Sequence, residues 1–171
     1  MGCFMEYLQL FDENKKMLNE KIERDLKMTL SGNKYFMIIL LFIQNEKGEF
    51  LLQKTSSSRN STIATTGGHV TYGDDGFKTT IKEAKEELGI TLLPNDIQYI
   101  DTITWSNGYE EVYYTNKKID INDIKLQEEE VENVAWYSVE QINKLIDEDK
   151  LRKGNIEAFN RVLTYIETYK K

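Results

Sequence analysis

Apolar and polar positions along the chain follow two different periods, and the change of period marks out the elements. Tyr7 to Phe11 and Met17 to Glu23, separated by the polar stretch Asp12 to Lys15, predict an N-terminal β-hairpin. Tyr35 to Ile43 is a near-continuous run of strand-forming residues, the pattern of a strand buried on both faces. The turn Asn45-Glu46-Lys47-Gly48 leads to a second strand, Phe50 to Gln53. After a serine-rich loop from Lys54 to Thr62, a short extended piece, Ile63 to Thr66, enters a glycine turn. From there the period becomes helical. Phe77, Ile81, Ala84 and Leu88 fall within a narrow arc at about 100° per residue. Asp75 is the expected N-cap of this helix and Gly89 its C′ terminator, with Pro94 beyond. Strands at Ile97 to Trp105 and Glu111 to Thr115 follow, joined by a turn at Asn107-Gly108. A short strand at Val134 to Tyr137 precedes a helix over Val139 to Asp147. A final helix places Ile156, Phe159, Leu163 and Ile166 on one side.

These elements predict an α/β (α+β) fold with a mixed sheet between helices. No repeat, linker or low-complexity tract divides the chain, so residues 1–171 read as one domain, with 1–34 as a hairpin extension. The longest apolar run, Tyr35 to Ile43, is about half of what a membrane span requires. No stretch reads as a secretory signal, and Glu6 stands where a myristoylation sequence needs Ser or Thr. A single cysteine, Cys3, excludes an internal disulfide. The expected setting is the cytoplasm. The net charge of -7 argues against duplex nucleic acid as the main partner. It leaves open a phosphorylated small molecule, because a bound cation inverts the local field.

The chemistry concentrates on the central helix. Glu83, Glu86 and Glu87 stand at i, i+3 and i+4 and share one helical face. Each like-charged pair costs an exposed helix roughly 0.2–0.5 kcal/mol, and the interleaved Lys82 and Lys85 point away from the centre of the stripe. A divalent cation removes that cost and keeps the carboxylates ionised. Oxygen-only ligands suit Mg²⁺ or Mn²⁺.

The stretch Gly68-HVTYG-Asp74-DGFKTTI-Lys82-Glu83-Ala84-Lys85-Glu86-Glu87-Leu88-Gly89-Ile90 resembles the signature of the Nudix (MutT-type) hydrolases, G-x5-E-x7-R-E-U-x-E-E-x-G-U, with U a bulky aliphatic residue. Gly68, Glu83, Glu86, Glu87, Gly89 and Ile90 match. Asp74 replaces the pattern's first Glu, Lys82 replaces its Arg, and Ala84 is small for U. The resemblance implies the Nudix-type α/β/α sandwich. It also implies a metal-dependent hydrolase that cleaves a pyrophosphate bond in a nucleoside diphosphate derivative or related organic diphosphate by attack of an activated water.

On that resemblance the expected metal ligands are Glu83, Glu86 and Glu87, the Gly67 carbonyl, and Glu130 from the run Glu128-Glu129-Glu130, whose position matches one from which some MutT-type members donate a ligand. Glu86 is ligand or general base, and Glu83 shares the catalytic assignment. Gly67 and Gly68 allow close approach of backbone to phosphate. Lys54 and Arg59 flank the loop before the motif, placed to grip a terminal phosphate. Lysine at position 82 supplies charge without a planar fork, and Asp74 is one methylene short, so activity is expected to be lowered or retuned. His69, the single histidine, reads as a backbone hydrogen-bonding residue or a catalytic contact. Trp105 and Tyr109 read as hairpin packing or as a stacking surface for a base.

The run Glu6 to Asn14 with Leu51 to Lys54 also looks like Nudix relatives of isopentenyl-diphosphate isomerase, which extends the resemblance over roughly residues 6 to 145. That enzyme uses a cysteine before its Gly-His pair and several histidines; Gly67 holds the cysteine's position here and no second histidine exists. A catalytically weak diphosphate-binding module is the other alternative. The N-terminal hairpin or the final helix is a candidate contact for a homodimer.

Overall fold

The computed structural model describes residues 5–25 and 29–170. Cys3 and the Met1-Gly2 dipeptide fall outside them. The chain forms β1 (Tyr7–Phe11), β2 (Met17–Glu23), β3 (Phe36–Ile43), β4 (Phe50–Thr55), β5 (Ile63–Ala64), β6 (Thr66–His69), α1 (Gly76–Leu88), β7 (Gln98–Trp105), β8 (Gly108–Thr115), β9 (Val131–Tyr137), α2 (Val139–Asp147) and α3 (Gly154–Tyr169). Both caps of α1 form as the sequence predicts. The Asp75 side chain accepts from the Lys78 N–H, and Gly89 turns left-handed at φ 68° with its N–H returned to the carbonyls of Ala84 and Lys85.

The expected mixed sheet is present, and not every strand joins it. The strands form a four-stranded sheet in the order β6-β3-β8-β7, a three-stranded sheet β5-β4-β9, and the separate hairpin β1-β2. The reason lies in β3. Its two edges are taken by β6, antiparallel, and by β8, parallel from Phe36↔Gly108 to Ile43↔Thr115. A strand has only two edges, so β4 touches β3 through the single bridge Gln44↔Phe50 and pairs instead with β5 and β9.

Alternate residues of β3 feed two cores. Ile39 and Leu41 meet Ala84 and Leu88 of α1, with Phe77 and Ile81 packed alongside. Leu40 and Phe42 meet Ala158, Phe159 and Val162 of α3 together with Val112 and Tyr114 of β8. The buried line of α3 is therefore centred on Ala158, Phe159 and Val162; Ile156, Leu163 and Ile166 are partly buried at its margins. The four-stranded sheet is thus covered by helix on each face, which holds the end of β6 and the start of α1 rigidly together. The N-terminal hairpin is fastened across that end: Gln9 N–H donates to the Val70 carbonyl at 3.0 Å and Tyr72 N–H to the Tyr7 carbonyl at 2.8 Å. Among the described residues no helix is long and apolar enough to cross a membrane.

Candidate active site

β6 runs beside β3 with Gly67 opposite Leu40 and Gly68 opposite Ile39. A Cβ on Gly67 would lie 2.5 Å from the Ile39 carbonyl oxygen and 2.8 Å from Leu40 Cδ2. The obstacle at Gly67 is backbone, which cannot swing aside. Gly67→Ala is accordingly expected to destabilise the protein by about 1–3 kcal/mol, read as a lowered thermal midpoint. At Gly68 the obstacle is a side chain: a Cβ would stand 2.6 Å from the Glu83 carboxyl carbon. The absence of a side chain there is what lets Glu83 of α1 lie against the β6 backbone.

The three glutamates of the motif helix occupy three different environments. Glu87 is buried at 3 % exposure, its Oε2 accepting from Gln53 Nε2 at 3.1 Å, and the Gly67 N–H donates to the same carboxylate. Glu83 is half-buried, and Glu86 is exposed. Burial drives the Glu83 carboxyl up to about 8, helped by the charges of Glu87, Glu86 and Glu130. Burial likewise drives Glu87 up to about 7, against the Gln53 and Gly67 hydrogen bonds that hold it down. The stripe predicted from spacing is therefore graded from core to solvent. Among the described residues no three His, Cys, Asp or Glu side chains converge closely enough to hold an ion. Like charges favour separate partners, and Glu87 has taken Gln53 and Gly67.

Glu130, just before β9, is brought toward the motif helix, since its charge acts on both Glu83 and Glu87. Arg59 Nη2 donates to Glu130 Oε1 at 2.9 Å. Arg59, Glu130, Glu87, Gly67 and Gly68 line one cavity of about 430 Å³. Lys54 stands apart from it: its ammonium pairs with Glu132 at 3.0 Å on the β4–β9 surface, so of the two cations expected beside the motif Arg59 is the one that lines the cavity. Two of the three departures from the signature, Asp74 and Lys82, answer one another. Lys82 Nζ lies 3.9 Å from Asp74 Oδ2, and Thr71 links them, donating to Asp74 at 3.0 Å and accepting from Lys82 at 3.3 Å. Gly89 ends α1, as its cap geometry requires.

The side chains do not converge on one point, yet the pair Glu83 and Glu87 repel one another and offer only oxygen atoms, the donor chemistry that suits a hard divalent cation able to offset both burial and repulsion.

Several residues of the cavity were not legible as site residues in the sequence. Gln53 follows the apolar Phe50-Leu51-Leu52 of β4 and is buried at 5 % exposure, and that buried amide is the signal that could have found it. Arg24, at the end of the N-terminal hairpin, and Arg152, before α3, also line the cavity; Arg24 pairs with Glu6 at 2.7 Å and Arg152 donates to Thr62 Oγ1 at 3.0 Å. Nothing in local sequence announces either. His69 lines the cavity too, edge-on to Phe36, and burial together with the Arg24 charge lowers it to about 4, so it is neutral near pH 7. Trp105 folds over Gly108, where a Cβ would lie 2.4 Å from its Cζ2; Tyr109 is buried and donates to the Asp12 carbonyl at 3.1 Å, a packing role.

Residues 34–159 match the family model of the NUDIX domain. An uncharacterised Nudix hydrolase of Listeria innocua serovar 6a is 26% identical over 145 residues, covering 82% of this chain and 85% of that protein. A crystal structure from Deinococcus radiodurans superposes with a TM-score of 0.73 at 18% identity, covering 94% of this chain and 99% of the other. The MutT protein of Methanosarcina mazei superposes with a TM-score of 0.59 at 26% identity over 74% of this chain and 91% of its own.

Proposed function

Because the chain belongs to the Nudix hydrolase family, whose members hydrolyse pyrophosphate bonds and generally need divalent metal ions, we propose that it cleaves a nucleoside diphosphate derivative or a related organic diphosphate with Mg²⁺ or Mn²⁺ as cofactor. The observation that carries this reading is the placement of Glu87, Glu130, Arg59 and the Gly67-Gly68 backbone around one cavity, with Glu83 packed against Gly68. Glu83, Glu86 and Glu87 would hold the ion, with Glu130 and the Gly67 carbonyl. A divalent ion bound there supplies positive charge to the diphosphate oxygens and acidifies water.

The chain's own groups do the rest. Gln53 and the Gly67 N–H fix the orientation of the Glu87 carboxylate. Arg59 fixes Glu130, and with Arg24 and Arg152 it lends the cavity three guanidinium groups against a polyanionic substrate. Glu86, exposed on the same helix, is the general base that takes a proton from the attacking water wherever Glu83 and Glu87 hold the ion without it. The Asp74–Thr71–Lys82 contacts brace the approach to α1, so the aspartate and lysine retune the site without dismantling it.

Release of phosphate or nucleotide from a panel of nucleoside diphosphate derivatives, with and without Mg²⁺, tests the proposal. Turnover of at least one member that stops on chelation is the expected result. Binding without turnover would make the protein a diphosphate-binding module, and conversion of isopentenyl diphosphate would make it an isomerase.

A further inference from the structure

Glu110 is the one acidic side chain of the cavity that the proposed hydrolysis does not use. It is the third residue of β8, between Ile38 of β3 and Ile103 of β7, on the sheet face that α3 covers. Its residue exposure is 6 %, and Oε1 is wholly buried with no hydrogen-bond partner among the described residues. The other oxygen lies 3.6 Å from where a Cβ would stand on Gly154, the first residue of α3. The two influences on its ionisation, burial and the nearby Glu157, both oppose charge. An unpartnered carboxyl in this position weakens the fold, and a valine or leucine would fill the same space at less cost.

Its surroundings supply a reason for keeping it. Glu110 lines the 430 Å³ cavity of the motif, and it also lines a neighbouring cavity of about 380 Å³ bounded by Trp105 and Lys153. Ile38, Glu110 and Gly154 belong to both. The carboxyl thus stands at the junction where a substrate with its diphosphate at Gly67-Gly68 would pass its remaining part toward Trp105.

We propose that Glu110 is a specificity-determining residue: its unpaired carboxyl group accepts a hydrogen bond from an N–H or O–H donor on the non-phosphate part of the substrate. This rests on the diphosphate reading of the cavity. Two sources share the chemistry, an amine on the base and a hydroxyl on the sugar. A site whose buried acceptor is left unpaired discriminates strongly against an analogue lacking the donor, by roughly 10- to 100-fold for one such contact.

Calorimetric titration in Mg²⁺ with α,β-methylene nucleoside diphosphates, which bind without being cleaved, separates this inference from the hydrolase assignment. Guanosine against inosine and cytidine against uridine test a base amine; ribose against 2′-deoxyribose tests a sugar hydroxyl. Methylenebisphosphonate, with no nucleoside, reports on the diphosphate site alone. The wild type is expected to prefer the donor-bearing member of at least one pair by roughly 10-fold or more. Glu110→Leu should erase that preference, Glu110→Gln should keep part of it through its amide oxygen, and methylenebisphosphonate should bind all three proteins within about threefold. A Glu110→Leu protein that keeps the preference overturns the proposal. So does one that loses methylenebisphosphonate equally, or a wild type that distinguishes no pair or binds none of the analogues. Absence of hydrolysis with the preference intact would sink the enzyme assignment and leave Glu110 in its role.

Discussion

Glu87→Gln is expected to lower turnover by about 10²–10⁴-fold while the protein stays folded. The two halves of that expectation have separate grounds. Glu87 is the most buried carboxylate of the motif helix and is clamped by Gln53 Nε2 and the Gly67 N–H, so its charge is delivered to a fixed place beside the glycine turn. An amide keeps the shape and the acceptor for Gln53, since its carbonyl oxygen can face the donor, but it brings no negative charge to a cation. The amide's one acceptor oxygen serves Gln53 and leaves the Gly67 N–H without its carboxylate, a loss that relief of a buried charge offsets. Burial disfavours the carboxylate enough to raise it to about 7, so an uncharged isostere relieves a cost at any higher pH. The check is steady-state phosphate release beside a thermal melt at pH 8. Loss of turnover with a midpoint at or above wild type is the expected pair. Turnover within threefold of wild type would remove Glu87 from the site.

The local elements were largely legible because local rules settle them. Asp75 caps α1 and Gly89 closes it, because a carboxylate just before the first helical turn and a glycine just after the last one satisfy the free backbone groups at each end. Phe77, Ile81, Ala84 and Leu88 needed only a helical period to be placed in the core. What the sequence hid was partnership across long separations. A continuous apolar run marks β3 as doubly buried but does not say that β6 and β8 claim its two edges, which is why β4, β5 and β9 form a sheet of their own beside the mixed one. The spacing of Glu83, Glu86 and Glu87 gives their common stripe, yet Glu87 alone reaches Gln53, 34 positions away. Lys54 and Arg59 looked equivalent as cations flanking one loop. The register of β4 with β9 sends Lys54 to Glu132, and the loop carries Arg59 to Glu130. The substitutions at positions 74 and 82 looked like independent losses until Thr71 was seen between them.

Without a divalent cation, thermal stability is expected to fall as pH rises from about 6.5 to about 8, and Mg²⁺ should recover most of the loss. Glu83, Glu87 and Glu110 are raised by burial, the first also by its neighbouring carboxylates, to about 8, 7 and 7, from an ordinary value of 4.5. Between 4.5 and those values the native chain holds more protons than the unfolded one, so their contribution is complete below 4.5 and is lost as pH climbs through 7 and 8. His69 runs the other way. Lowered from 6.5 to about 4, it favours the native state above 6.5 and loses that advantage as pH falls toward 4. The histidine therefore offsets part of the carboxylate effect below 6.5 and none of it above, which leaves the range from 6.5 to 8 to the carboxylates alone. A cation binds the ionised form and so competes with protons, which makes its stabilisation grow over the same range. At a free concentration about 100 times its dissociation constant it would add about 2.7 kcal/mol. Melting curves at pH 5.5 and 8.5, with and without Mg²⁺, should show a larger rise in midpoint at the higher pH. Combining Glu83→Gln with Glu87→Gln should reduce the pH slope to the part that Glu110 contributes and abolish the Mg²⁺ gain together. A Mg²⁺ gain that survives the double substitution would place the cation somewhere other than the motif helix.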